Sequence, residues 1–163
     1  NRLIADANDP ALADFRAVLA AVMRDLAIQI VRDGEGATKL VTIDIAGAQT
    51  KVIARQIGLA IANSPLVKTA IAGEDANWGR IVMAIGKLGI GIPSDAISID
   101  IGGYAVARDG MRIADYDETP IAAHMTGQMI DLAVTVGDGD GTAQVWTCDL
   151  THGYISINAD YRS

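Results

Sequence analysis

The spacing of apolar residues changes along this chain, and that change restricts the fold more than any other feature. Between residues 12 and 30, apolar residues recur at steps of three and four, the period of a helix with one buried stripe. At residues 41–45 and 97–101, apolar and polar residues alternate, as they do in a half-buried strand. The chain must therefore combine helices with a sheet. The predicted buried stripe of the first helix is Leu12, Phe15, Leu19, Val22, Leu26 and Ile30.

Proline, asparagine and glycine set the limits of the predicted helices. An Asp-Pro start and a glycine stop predict a first helix over residues 10–34. A second helix is predicted over about 49–63, because the residue before a proline avoids the helical region, and a third over about 77–88. Residues 66–76 are predicted to form a loop with a short ordered segment. A further helix is predicted to begin at Thr119.

Turn residues separate the alternating segments of the second half. Asp109-Gly110 predicts one hairpin, and the glycine-rich segment 137–141 predicts another between strand 132–136 and a strand through Trp146. We therefore predict an α+β or mixed-sheet α/β fold, with helices packed on a mixed or antiparallel sheet. Residues 1–92 form its helix-rich half, and residues 93–163 form its strand- and hairpin-rich half.

Composition argues against several classes of protein. The 163 residues are 50% hydrophobic, enough for a packed core, and 13 basic against 20 acidic residues give a net charge of −7. The basic residues form no stripe, so nucleic acid is not expected as a partner. No uncharged apolar run is long enough to cross a bilayer. The single cysteine, Cys148, rules out an internal disulfide. We therefore expect a soluble protein of the cytoplasm.

Three patterns that suggest a reactive or metal site are weak. Residues 137–141 contain two aspartates among glycines, but their spacing does not match a calcium loop. Cys148 and His152 lie four residues apart, which on a helix would favour an activated thiol. We favour a structural cysteine and an exposed imidazole, since a strand is predicted to end near Cys148. His124 has no partner at metal-ligand spacing, and no metal site is predicted.

Two segments and the tail are too rich in polar groups to be explained by helix and turn signals alone. Residues 32–39 place four charges and a hydroxyl in one turn, and residues 64–80 interleave charges with small residues. Structural ion pairing is an equal alternative for both. The tail, residues 158–163, ends in mixed polar groups.

These three segments together closely resemble the ornithine acetyltransferases, also called glutamate N-acetyltransferases, of arginine biosynthesis. The matching motifs are DGEGATK at 33–39, SPLVKTA at 64–70, GED at 73–75 with NWGR at 77–80, and CDLT at 148–151 with NADYR at 158–162. The similarity runs in order from about Phe15 to the last residue.

The resemblance implies an enzyme that moves acetyl from N-acetylornithine to glutamate, sometimes also using acetyl-CoA, and that needs no other cofactor. Family precursors cut themselves before a threonine, whose freed amine and hydroxyl form the nucleophile. That threonine is expected upstream of this chain. We therefore expect the carboxy-terminal portion of a β chain, inactive alone, with the α chain and the rest of the β chain as partners in an α2β2 heterotetramer.

Three residues match the family's substrate-binding positions. Glu35 matches a glutamate suited to an amino group of ornithine, Asn158 matches an asparagine, and Ser163 stands where relatives usually end in threonine. The charged residues of segment 64–80 match the family sequence, and we assign them a scaffolding role: Lys68, Glu74, Asp75 and Arg80. Two alternatives to an acetyltransferase remain open. One is a non-catalytic binding or assembly domain on this scaffold, and the other is a related self-processed amidohydrolase or aminopeptidase.

Overall fold

A computed structural model describes residues 3–114 and 116–159. Within these ranges the helices are α1 (Ala13–Arg32), α2 (Lys51–Ala62), α3 (Pro65–Ala72), α4 (Trp78–Gly86), α5 (Thr119–Met125) and α6 (His152–Ala159). The strands are β1 (Leu40–Gly47), β2 (Ser98–Ile101), β3 (Tyr104–Arg108), β4 (Met111–Arg112), β5 (Met129–Thr135) and β6 (Gly139–Cys148).

The strands form one mixed sheet in the order β4-β3-β2-β5-β1-β6. β1 runs parallel to β5 and antiparallel to β6, while β2 is antiparallel to both β3 and β5. The prediction of helices packed on a mixed sheet is confirmed. Because β1 from the first half of the sequence lies between two strands from the second, the sheet draws on both halves. The division at residue 92 remains a prediction.

The core lies between one face of the sheet and α2, α3 and α4. Val41, Ile43 and Ile45 of β1 point into it and are at most 2% exposed. α2 lies close to β6 at Gly58, where an added Cβ would come within 2.7 Å of the Val145 side chain. Glycine therefore allows a close helix-sheet approach at the strand that leads into the candidate site.

Segment 66–76 is largely helical, and its prediction as a loop is wrong. Ser64 both follows the end of α2 and caps α3, since its side chain accepts a hydrogen bond from the backbone N–H of Val67 at 3.5 Å. Pro65 occupies the first turn, where its missing N–H has no cost. Val67 and Ile71 are buried, which holds this short helix against the core.

The glycine-rich segment 137–141 does not close a hairpin, in contrast to the prediction. β1 lies between β5 and β6, so the chain crosses the end of β1 before it returns. Gly47 makes the crossing possible, because it has a φ of +75° and an added Cβ would lie 2.1 Å from the carbonyl oxygen of Gly137. Sequence alternation identifies strands but leaves their order in the sheet open.

The apolar stripe of α1 is exposed, and its prediction as a buried stripe is wrong for this chain. Phe15 is 61% exposed, Val22 49% and Ile30 74%. Within α1 only Ile28 and Val31 are half-buried, and both lie near its carboxyl end. Most of α1 therefore lies away from the sheet. Separately, no described helix is long and apolar enough to cross a membrane.

Candidate functional site

A cavity of about 410 Å³ lies where the turn after α1 meets the end of β6, α3 and α6. Five side chains with polar atoms give it its chemical character: Glu35 from the turn, Lys68 from α3, Cys148 from the end of β6, Asp149 directly after β6 and Tyr154 from α6. Three of the sequence motifs therefore converge on one cavity, although they are far apart in the chain.

Asp149 fixes the turn against the end of β6. Its carboxylate is only 2% exposed and accepts hydrogen bonds from the backbone N–H groups of Thr38 at 2.8 Å and Lys39 at 3.0 Å. The Thr38 hydroxyl donates a third bond at 2.6 Å. Burying a carboxylate is costly unless it is fully hydrogen-bonded, and here three donors supply that compensation.

A second set of contacts places the start of α6 on the same turn. The Thr151 hydroxyl donates to the carbonyl of Gly36 at 2.6 Å. Gly36 has a φ of +69°, and an added Cβ would lie 2.4 Å from the backbone nitrogen of Tyr154. Only glycine fits both the backbone conformation and this close approach.

The structure brings Glu35 and Asn158 together. The Asn158 amide donates to the Glu35 carboxylate at 2.8 Å and to the carbonyl of Tyr154 at 2.9 Å. The predicted pair is thus in direct contact although 123 positions separate its members. Ser163, the third predicted site residue, lies outside the described residues.

Lys68 also faces the cavity, which its scaffolding interpretation did not anticipate. Its ammonium nitrogen lies 3.7 Å from the Cys148 sulfur, and the carbonyl of Lys68 accepts a bond from the backbone N–H of Leu150 at 3.2 Å. Cys148 ends β6 while the exposed His152 begins α6, so the two do not share a helix.

The other charged residues of segment 64–80 make structural contacts. Glu74 pairs at 3.2 Å with Lys39, whose buried ammonium also donates to the carbonyl of Met125. Arg80 donates to the carbonyl of Leu66 at 2.8 Å and so ties α4 to α3. Asp75 accepts a bond from the Asn77 side chain. These contacts agree with the scaffolding interpretation.

No group of three or more His, Cys, Asp or Glu side chains that could hold a metal occurs in ranges 3–114 and 116–159. His124 has a structural contact, because its Nε2 accepts a hydrogen bond from the backbone N–H of Asp131 at 2.9 Å. The hydrogen bonds that Asp149 accepts from Thr38 and Lys39, and the bond from Thr151 to Gly36, were not predicted from the sequence. Their only sequence signal was the resemblance of motif 148–151 itself.

Comparison with known proteins gives a consistent result. A protein-family model described as "ArgJ family" matches residues 1–163 of the sequence. The chain is 58% identical to the arginine biosynthesis bifunctional protein ArgJ of Gluconobacter oxydans and 54% identical to that of Zymomonas mobilis, in each case over its whole length. It spans only 38% and 40% of those two relatives.

A solved structure agrees with these sequence matches. The crystal structure of the arginine biosynthesis bifunctional protein from Bacillus halodurans superposes with a TM-score of 0.91 at 38% identity. The superposition covers 99% of this chain and 75% of that one. The two chains therefore resemble each other in amino-acid sequence as well as in fold.

Proposed function

The chain belongs to the ArgJ family, and from that membership we propose that it is the carboxy-terminal portion of a self-processed acetyltransferase acting in arginine biosynthesis. The enzyme would move acetyl from N-acetylornithine to glutamate. The observation that carries the proposal is the hydrogen bond from Asn158 to Glu35, because Glu35 lines a cavity built largely by the family's own motifs. Acetyl-CoA is a possible second acetyl donor, and no other cofactor is needed for acyl transfer. The cytoplasm is the proposed location.

The proposed chemistry divides one transfer into two steps. An amino-terminal threonine, supplied by a part of the protein outside this chain, attacks the acetyl group while its own free amine takes the hydroxyl proton. Ornithine leaves with the proton that the threonine amine took up. Glutamate then enters, its amino group attacks the acetyl ester, and the proton it loses restores the threonine hydroxyl. Glu35, Asn158 and Ser163 would bind the substrates during both steps. In this scheme the chain positions substrates and does not supply the nucleophile.

The exposed stripe of α1 supports a partner from the rest of the same protein. A helix with a continuous apolar face is rarely left uncovered, and here about three fifths of each relative's length lies outside the matched region. We propose that the remainder of the precursor, the α chain and the rest of the β chain, covers this stripe. The resulting heterodimer would pair again into an α2β2 assembly.

Charges introduced into the stripe should prevent that assembly. The double variant L19E/V22E in the full-length product places two carboxylates where apolar contact is proposed. We expect at least a 100-fold loss of affinity between the processed chains, roughly 3 kcal/mol. Size-exclusion chromatography with light scattering would measure it. Arg24→Glu on the opposite face of α1 is the matched control and should leave assembly intact.

Acetyl transfer tests the proposal directly. The full-length gene product should transfer acetyl from N-acetylornithine to glutamate, whereas the 163-residue chain alone should not. Radiolabelled donor and a panel of acceptors would measure both activities. Acetyl transfer by the 163-residue chain with nothing added would contradict the proposal that the nucleophile lies outside this chain. Release of acetate without an acceptor would favour an amidohydrolase, and inactivity of the full product would favour an assembly domain.

A further inference from the structure

Besides the buried Asp149, two opposite charges line the cavity that holds the candidate site, and they come from different elements. Glu35 lies on the turn after α1 and Lys68 on the second turn of α3. Among the described residues, salt bridges join Lys39 to Glu74 and Arg108 to Asp100, so neither cavity charge is neutralised by a bridge within ranges 3–114 and 116–159. The cavity therefore offers both a carboxylate and an ammonium to a bound molecule.

The groups around Lys68 leave its charge available. Its polar contact is the Cys148 sulfur at 3.7 Å, and sulfur is a weak hydrogen-bond acceptor. The buried carboxylate of Asp149 also lines the cavity, but its oxygens already accept bonds from Thr38 and Lys39. Lys68 itself is half-buried, so water screens its charge less than that of a fully exposed lysine.

The proposed reaction places an unusual demand on such a pocket. In a ping-pong transfer, donor and acceptor use one site in turn, and the two amino acids end in opposite charges. The side chain of ornithine carries an ammonium, whereas the side chain of glutamate carries a carboxylate. A pocket with a single fixed charge would favour one substrate and repel the other.

We propose that Lys68 binds the side-chain carboxylate of the acceptor glutamate, while Glu35 binds the side-chain ammonium of the donor. This inference rests on the proposed function and assigns each substrate its own charge partner in one cavity. Lys68 is then a specificity-determining residue for the second half of the reaction. Arginine would preserve the contact, because it too presents a cation to a carboxylate.

Separate measurement of the two half-reactions tests the proposal. In the full-length processed enzyme, Lys68→Met keeps the length and apolar stem of the side chain but removes the charge. We expect the KM for glutamate to rise about 20-fold, the scale of a lost charge-assisted contact. Formation of the acetyl-enzyme from N-acetylornithine, followed by mass spectrometry, should stay within about twofold of wild type. Lys68→Arg should restore most of the glutamate affinity.

Two controls make the outcome decisive. Lys87→Met removes an exposed lysine just beyond α4 and should change neither half-reaction. An unchanged KM for glutamate in Lys68→Met would overturn the proposal, as would an equal loss in both half-reactions or a failure of arginine to rescue. If the wild-type enzyme does not use glutamate at all, the proposed function fails instead, and the two failures are thereby distinguished.

Discussion

Replacing Asp149 by alanine is expected to lower the free energy of unfolding by about 3 kcal/mol, because three donors lose their buried acceptor at once. The backbone N–H groups of Thr38 and Lys39 would lose an acceptor side chain that is itself only 2% exposed in the intact protein. The turn carrying Glu35 would lose its side-chain attachment to the residue that follows β6. Urea unfolding of the full-length product measures the first effect, and the KM for N-acetylornithine measures the second.

Two further variants distinguish the loss of these three hydrogen bonds from a general effect of removing a negative charge. Asp140→Ala removes an exposed carboxylate from β6, the strand that Asp149 directly follows, and should change stability by less than about 0.5 kcal/mol. Asp149→Asn keeps one oxygen for the two backbone donors and should fall between alanine and wild type. Equal stabilities for Asp149→Ala and Asp140→Ala would show that the three hydrogen bonds do not hold the turn.

Local signals predicted the elements of this fold well where capping and periodicity agreed. The helix capped by Asn77 and the strand alternation at residues 97–101 both appear as expected. α3 was missed because Ser64-Pro65 was interpreted only as the end of one helix, although the same pair begins the next. A short helix of this kind is held by tertiary burial more than by its own propensity.

Non-local pairings could not be predicted from the residues alone. The insertion of β1 between β5 and β6 depends on the whole sheet, and nothing in the alternation of residues 129–148 encodes it. The contact between Glu35 and Asn158 was anticipated only through family resemblance. The exposed stripe of α1 is a different case: its helical period was correct, but the described residues leave it uncovered, and we propose that the rest of the precursor covers it.

Replacing Glu35 by glutamine in the full-length processed enzyme is expected to raise the KM for N-acetylornithine about 100-fold, roughly 3 kcal/mol, because a charged partner of the donor is lost. Glutamine keeps an oxygen that can accept the hydrogen bond from Asn158, so the link to α6 should persist. Steady-state kinetics with each substrate varied in turn would measure the effect. Asp33→Asn, on the same turn but outside the lining of the cavity, is the matched control.

The pattern across substrates carries more information than the size of the effect. If Glu35 serves the donor and Lys68 the acceptor, Glu35→Gln should affect acetyl-enzyme formation far more than the later transfer to glutamate. A loss confined to KM would indicate binding that is equal in the ground and transition states, whereas a loss in kcat would place the carboxylate closer to the reacting atoms. An unchanged KM and an unchanged kcat with N-acetylornithine would show that Glu35 does not bind the donor, even though its contact with Asn158 remained.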